Sequence, residues 1–223
     1  SIFIKDKKSS NPISILSVVT NNAEAEVNVL KARNKLQEFV NHASASETKI
    51  NVIATIDHNA ASGISRIARE IMADIIVLGW PSRPGLIDKL VGEKVDSILN
   101  NTEKTTFICR LHKPLILHKR LLIAVPPISE REIGFDIWIS KLAKLAQELS
   151  VPMQFYCNEN TKLAVKTYLA FSKTNANVAF THFDDWDNFL TIGKNLHPDD
   201  LIVLVSARQG SASYMSVLEH LPS

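Results

Sequence analysis

One stretch constrains this chain more than any other: residues 73–99, ADIIVLGWPSRPGLIDKLVGEKVDSIL. Ile75, Ile76, Val77 and Leu78 form an unbroken apolar run, the pattern of a strand buried on both faces of a parallel sheet. Gly79, Pro81, Pro84 and Gly85 stop that run. From Leu86 the apolar residues switch to helical spacing, at Ile87, Leu90, Val91, Val95 and Ile98. A buried parallel strand needs parallel neighbours and crossover helices, so this segment commits the chain to alternating strands and helices. The loop between its strand and helix is also where such folds bind ligands, because free N–H groups and the helix dipole point outward there.

The rest of the chain repeats the alternation. Strands are predicted at Pro12–Thr20, Lys49–Ile56, Thr105–Arg110, Leu121–Val125, Val151–Cys157, Asn177–Thr181 and Asp200–Val205. Asn21 and Asn22 are N-cap residues for a helix to Ala43, with Val27, Leu30, Leu36, Phe39 and Val40 as its apolar face. A second helix over 61–72 turns Ile64, Ile67 and Ile71 inward. Ser129 with Glu132 reads as a capping box opening a helix to Leu149 that carries Trp138, Leu142 and Leu145. Further helices are predicted over Thr161–Ser172, over a segment bearing Trp186, Phe189, Leu190 and Leu196 capped by Asp184 or Asp185, and over Ser211–Leu221.

The alternation is an internal repeat. ADIIVLGWPSRPG in the first half parallels DDLIVLVSARQG in the second, with Arg83 two residues before Gly85 and Arg208 two before Gly210. Leu111–Lys119, with Pro114 and the basic residues Lys113 and Lys119, is the linker, giving halves 1–112 and 119–223, each α/β with a doubly wound parallel sheet.

The 73–99 segment resembles the signature of universal stress protein domains, in which a strand ends on glycine and a G-x2-G-x9-G-S/T pattern follows. Here Gly79 and Gly92 match, Ser82 stands at the second glycine and Glu93 at the final hydroxyl. The resemblance implies a Rossmann-like fold of the adenine nucleotide alpha hydrolase type, in tandem. Where such domains bind ATP, the glycines and hydroxyl hold its phosphates. Ser82 adds a side chain where backbone must approach phosphate, and the Glu93 carboxylate repels it. The strand-1 aspartate that such domains turn to the nucleotide is replaced by Val125-Pro126-Pro127, and the prolines offer no N–H. No cofactor is therefore expected.

The second half, LLIAVPPISEREIGFDIWISKLAKLAQELS with DDWDNF and LIVLVSARQGSASYMSVLEHLPS, resembles the C-terminal cytosolic region of bacterial cation/proton antiporters of the sodium/proton or potassium/proton type. In that family a membrane transporter is followed by a tandem of degenerate stress-protein domains. The resemblance implies a regulatory, non-catalytic region at the cytoplasmic face of the inner membrane, whose partner is the transporter portion of the same polypeptide. The alternative is a free-standing universal stress protein that binds ATP or another nucleotide. The first half lacks its opening strand, since Ser1–Lys5 lies too close to the next strand for a crossover helix, and the second half stops before a last edge strand. The expectation is a piece of a longer polypeptide, packed as a pseudo-dimer or completed in a homodimer.

Composition excludes several classes. A formal net charge of +2 over 223 residues gives no basis for a nucleic-acid or acidic-membrane partner. No apolar run reaches membrane-span length, and SIFIKDKKSS is not a signal peptide. Cys109 and Cys157 lie in separate strands without metal or redox spacing, which suits structural thiols in a reducing compartment. Nucleophilic catalysis finds no G-x-S-x-G and no thiol at a helix N-terminus, so the expectation is no enzyme. His182, Asp184, Asp185 and Asp187 are read as helix-cap residues and no metal is expected. The candidate nucleotide or anion residues are Gly79, Ser82, Arg83, Gly85 and Gly92 in the first half and Ser206, Arg208, Gly210 and Ser211 in the second, where guanidinium and hydroxyl donors meet a helix N-terminus. The competing reading is solvated arginines on surface loops.

Overall fold

The computed structural model describes residues 13–43, 50–80 and 87–218. The chain divides into two compact units, Ser1–Arg110 and Leu111–Ser223. The first contains β1 (Ile13–Thr20), α1 (Ala25–Ala43), β2 (Ile50–Asp57), α2 (Ala60–Glu70), β3 (Ile75–Gly79), α3 (Ile87–Asn100) and β4 (Thr105–Cys109). β1 pairs with β2 in parallel from Ile13↔Ile50 to Thr20↔Asp57. β3 pairs with β4 in parallel from Ile75↔Thr105 to Gly79↔Cys109.

Helix α2 anchors this unit. The Asn59 side chain caps it by accepting the Ser62 N–H at 2.9 Å. Its buried face is Ala61, Gly63, Ser65, Ile67 and Ala68. A Cβ on Gly63 would lie 2.6 and 2.8 Å from the Val18 methyls, so glycine is what lets the helix lie against β1. The Ser65 hydroxyl donates to the carbonyl of Asn101, tying α2 to the end of α3. The helix stops at Glu70, which leaves Ile71 exposed and not inward as the spacing predicts. On α1 the covered stripe is Ala25, Val29, Ala32, Leu36 and Val40, at helical spacing, while Val27, Leu30 and Phe39 are exposed. β3 is not buried on both faces: Ile76 is buried, but Val77 is exposed.

The second unit contains β5 (Arg120–Ala124), α4 (Phe135–Leu149), β6 (Met153–Cys157), α5 (Glu159–Phe171), β7 (Val178–His182) and β8 (Asp200–Leu204). Its sheet has the order β7-β6-β5-β8, with every pair parallel. β5 is central, and Leu121 to Val125 are fully buried. One cluster of the core joins Leu122, Ala124 and Tyr156 to Trp186, Phe189, Ile192 and Leu218. α4 contributes Phe135, Trp138, Ile139, Leu142, Ala143, Leu145 and Ala146, and α5 contributes Val165 and Leu169. The segment 111–119 packs on this unit: it forms a 3-10 turn at Leu115–Leu117, and Lys113 reaches the Pro198 carbonyl and Asp199 carboxylate, both at 2.8 Å.

Three expected elements differ here. Trp186–Asn195 is a kinked run of 3-10 turns, not an α-helix. Trp186, Phe189 and Ile192 recur every third residue, which suits 3-10 winding, and Leu190 faces out. Asp185 makes no capping bond to backbone, and its carboxylate instead accepts from the Asn188 amide. The expected helix over Ser211–Leu221 is, within the described residues, a loop with one 3-10 turn at Ser216–Leu218. Ser129 does not open a capping box: Ser129–Arg131 is a 3-10 turn and α4 starts after Gly134.

Candidate functional site

In the second unit the carboxyl ends of β5, β6 and β8 converge on the loop 125–134. After Val125 come two prolines without N–H donors, and Ile128 then adopts φ 68°, a left-handed conformation that a β-branched side chain disfavours. A strained turn of this kind persists only where its surroundings over-determine it. Two glutamates do so. Glu130 Oε2 accepts from the Thr161 hydroxyl at 2.9 Å, and Thr161 is fully buried at the start of α5. Glu132 Oε1 accepts from both the Ser213 N–H at 2.9 Å and the Ser213 hydroxyl at 2.8 Å. The loop is thus tied by one carboxylate to the first turn of α5 and by the other to the loop after β8.

That second loop holds Ser206, Arg208, Gly210 and Ser211. Gly210 has φ 87°, a conformation in which any side chain is strained. The Ser211 N–H donates to the Arg208 carbonyl and the Tyr214 N–H to the Ser211 carbonyl, so the loop closes on itself. Ser206 Oγ lies 3.5 Å from the Ala207 carbonyl. The donor pair aimed at an acceptor here is Ser213 N–H and Oγ, and the acceptor is the chain's own Glu132. Sequence reasoning missed this contact because the Ser129–Glu132 spacing imitates a capping box. Gly134, directly before the apolar pattern of Phe135, Trp138 and Ile139, was the available signal that the helix starts later and leaves Glu132 free to reach elsewhere.

In the first unit, Gly79 ends β3 opposite Cys109, and the Trp80 N–H extends the ladder to the Cys109 carbonyl at 2.8 Å. Among the described residues, no atom lies within 4 Å of where a Cβ on Gly79 would stand. Gly92 lies in the backbone of α3. Ser82, Arg83 and Gly85 lie outside the described residues. The carboxylate at a strand end in this unit is Asp57. It accepts the His58 N–H at 2.8 Å and Arg66 Nε at 3.1 Å. The His58 N–H first, then Arg66, hold its carboxyl below the usual range. Arg66 also bonds Thr55 and Glu70. Each oxygen of this carboxylate thus accepts one hydrogen bond from within its own unit.

Other chemistry-bearing groups do not converge. His182 Nε2 meets Asp184 Oδ2 at 2.8 Å on the surface, and no group of three or more metal-ligating side chains gathers among the described residues. Burial pushes the Cys157 thiol up to about 12 and the Cys109 thiol up as well, away from the lowered range of activated thiols. An open depression of about 310 Å³ lies between the end of α4 and the starts of β6 and β7, lined by Gln147, Pro152, Asn175 and Asn177, at the opposite end of the sheet from the loops above.

Comparison with known proteins places this architecture. Residues 7–110 match the universal stress protein family. The Na(+)/H(+) antiporter NhaS5 of Synechocystis is 25% identical over 201 residues, which cover 84% of this chain and 28% of that protein. The chain therefore spans under a third of the length of the curated relative it matches. A universal stress protein from Archaeoglobus fulgidus superimposes with a TM-score of 0.62 at 14% identity, over 95% of this chain and 83% of that one, a likeness of fold. The first unit is a universal-stress-protein-like domain, the α/β fold with parallel sheets is that of the family, and the chain is related to a cation/proton antiporter. Among the described residues, no helix is long and apolar enough to cross a membrane.

Proposed function

We propose that this stress-protein-like chain is the non-catalytic regulatory region of a membrane cation/proton antiporter, acting at the cytoplasmic face of the inner membrane through contacts with the transporter portion of the same polypeptide. The observation that carries the reading is the extent of the antiporter match. Its 201 residues exceed the length of either unit, so the similarity runs through both of them. In this reading both units are tandem stress-protein domains that have kept the fold and lost the nucleotide, and the assembly is a homodimer or pseudo-dimer. The internal occupation of the Ser213 donors by Glu132 supports a loop that needs no phosphate to be satisfied.

The test is proton flux in everted membrane vesicles carrying the intact polypeptide, with and without residues 1–223. The expected result is retained exchange with a shifted dependence on pH or cation concentration. An intact polypeptide with no transporter segment, or an unchanged profile after the deletion, overturns the reading. Calorimetric titration of the chain with ATP and AMP separates it from a free-standing nucleotide-binding stress protein. No binding is expected at micromolar concentrations, and micromolar binding favours the free-standing alternative.

A further inference from the structure

Helices α4 and α5 both follow strands of the second sheet, yet their outer faces differ in chemistry. The residues that α4 exposes are Asp136, Ser140, Gln147 and Glu148, an ordinary solvated surface. α5 buries Thr161, Val165 and Leu169, and its opposite face carries Leu163, Thr167, Ala170 and Phe171 at i, i+4, i+7 and i+8. All four are exposed, Leu163 at 67% and Phe171 at 88%. The Thr167 hydroxyl donates to the Leu163 carbonyl at 2.9 Å, so the one polar side-chain atom in the stripe is satisfied within the helix. The result is a continuous apolar stripe on a surface helix.

The stripe has no charge of its own, and cations flank it. Residues 159–173 hold three lysines, Lys162, Lys166 and Lys173, against one acid, Glu159. Lys162 and Lys166 stand one turn apart on the same side of the stripe. Lys162 Nζ reaches Glu159 at 3.0 Å, and Lys166 Nζ lies over the Phe180 ring of β7, 5.5 Å from its centroid. Both ammonium groups are drawn to that side, and Leu163 and Phe171 stay uncovered. Glu130, the other carboxylate at the start of α5, is held by buried Thr161 on the far face.

We infer that the outer face of α5 docks on an anionic lipid surface. An apolar helical stripe flanked by lysines suits the membrane interface: leucine and phenylalanine enter the acyl boundary while the ammonium groups meet lipid phosphates. A second copy of this chain is the poorer occupant, because two such stripes face to face bring like charges together. The whole-chain net charge of +2 gives no basis for such a partner; the gathering of cations beside one apolar stripe does. The choice of lipid rests on the reading of the chain as part of a membrane antiporter, which keeps a bilayer within reach. A tethered region then needs only weak affinity of its own.

Co-sedimentation of residues 1–223 with vesicles tests it. Vesicles of phosphatidylcholine with about a quarter phosphatidylglycerol should bind the chain at millimolar lipid, at least ~5-fold more weakly in about 0.5 M salt. Leu163→Ser with Phe171→Ser should weaken binding at least ~10-fold at an unchanged thermal midpoint, since both side chains are already in water. Lys166→Gln with Lys173→Gln should weaken it by a similar factor. Ile116→Ser with Leu190→Ser, which removes two apolar side chains exposed elsewhere, should leave it intact. No binding by the native chain overturns the inference. So do equal binding to pure phosphatidylcholine and equal loss in the Ile116/Leu190 variant. Conversion of a dimer to a monomer by the Leu163/Phe171 variant, read by light scattering, also overturns it, because a second copy would then cover the stripe. Proton flux reads the regulatory proposal separately: an unchanged flux profile with vesicle binding intact overturns that proposal and supports this one, and absent vesicle binding with a shifted flux profile does the reverse.

Discussion

Replacing Glu132 by alanine should destabilise the second unit measurably at neutral pH. Glu132 Oε1 accepts two hydrogen bonds from Ser213, at 2.9 and 2.8 Å, and Ser213 is only 4% exposed. A hydrogen bond to a charged acceptor contributes about 1.5–3 kcal/mol, and an abandoned buried donor costs about 1–3 kcal/mol. The two bonds share one oxygen on a half-buried side chain, so a total of about 2 kcal/mol is expected for Glu132→Ala. For a unit of this size that lowers the thermal midpoint by about 8 °C. Glu132→Gln keeps an oxygen acceptor without the charge and should cost about half as much. Thermal and urea unfolding at pH 7 read both variants, and a cycle with Ser213→Ala isolates the pair, with an expected coupling of about 1 kcal/mol. The freed donors of Glu132→Ala should also take up inorganic phosphate, seen as a phosphate-dependent rise in midpoint that the native chain lacks. A cost for Glu132→Ala within about 0.5 kcal/mol, the size of an ordinary surface substitution, would refute the reasoning. Equal phosphate stabilisation of native and variant chains would refute its second half.

The Arg120–Asp200 pair joins β5 to β8 through bonds of 2.9 and 2.6 Å, with the Asp200 side chain 3% exposed, so Arg120→Met should cost about 3 kcal/mol in urea titration by stranding a buried carboxylate. Burial pushes the Asp200 carboxyl up, but Arg120 and the His197 N–H outweigh it and hold it below the usual range. Its contribution is therefore complete above about pH 4 and is lost as pH falls further; an Arg120→Met chain should lose less stability across that acid range than the native one. Gly63→Ala should cost about 1–3 kcal/mol, because the added methyl meets the stiff Val18 side chain, and the loss should shrink in the double variant with Val18→Ala. Cys157, its thiol pushed up to about 12, should resist iodoacetamide at pH 8 in the folded chain and react at the free-thiol rate in urea; fast reaction in the folded state would contradict the burial.

The strands were legible as short runs of apolar and β-branched residues, some of them sharply bounded, as Pro12 and Asn21 bound β1 and Pro152 and Asn158 bound β6, and their parallel direction followed from the helices between them. What escaped was either degenerate locally or distant in sequence. Trp186, Phe189 and Leu190 fit a helical template as well as Trp186, Phe189 and Ile192 fit a 3-10 one, and only packing against Tyr156 and Leu122 decides between them. On α1 the apolar residues exceed what one face holds, so the sequence did not say that Val27 and Leu30 would be left outside. The Arg120–Asp200 and Glu132–Ser213 contacts join residues about 80 positions apart, beyond any local pattern. The arginine loops were legible as loops, but the acceptor that satisfies the second one lies on a different strand end.

Fold and site come apart here for a physical reason. The second unit is held by the buried strand β5 and by the faces of α4 and α5, none of which depends on what the strand-end loops bind. What those loops hold can therefore differ without loss of the fold, and here one of them holds an internal carboxylate. A phosphate entering the Ser213 donors must displace Glu132, at about 2 kcal/mol, and then sit near its charge, which adds about 1–4 kcal/mol for like charges some 4 Å apart. A bare anion binding with millimolar affinity releases about 4 kcal/mol, which those two costs cancel. A nucleotide gripped at micromolar affinity by its base and ribose as well releases about 8 kcal/mol and would still bind. On this reckoning the Glu132 lock alone predicts that the native loop will not bind phosphate, checked by the phosphate-dependent midpoint above. The further prediction that ATP does not bind requires in addition that the adenosine contacts be gone, as the Val125-Pro126-Pro127 turn with its missing donors and strained Ile128 leads us to expect.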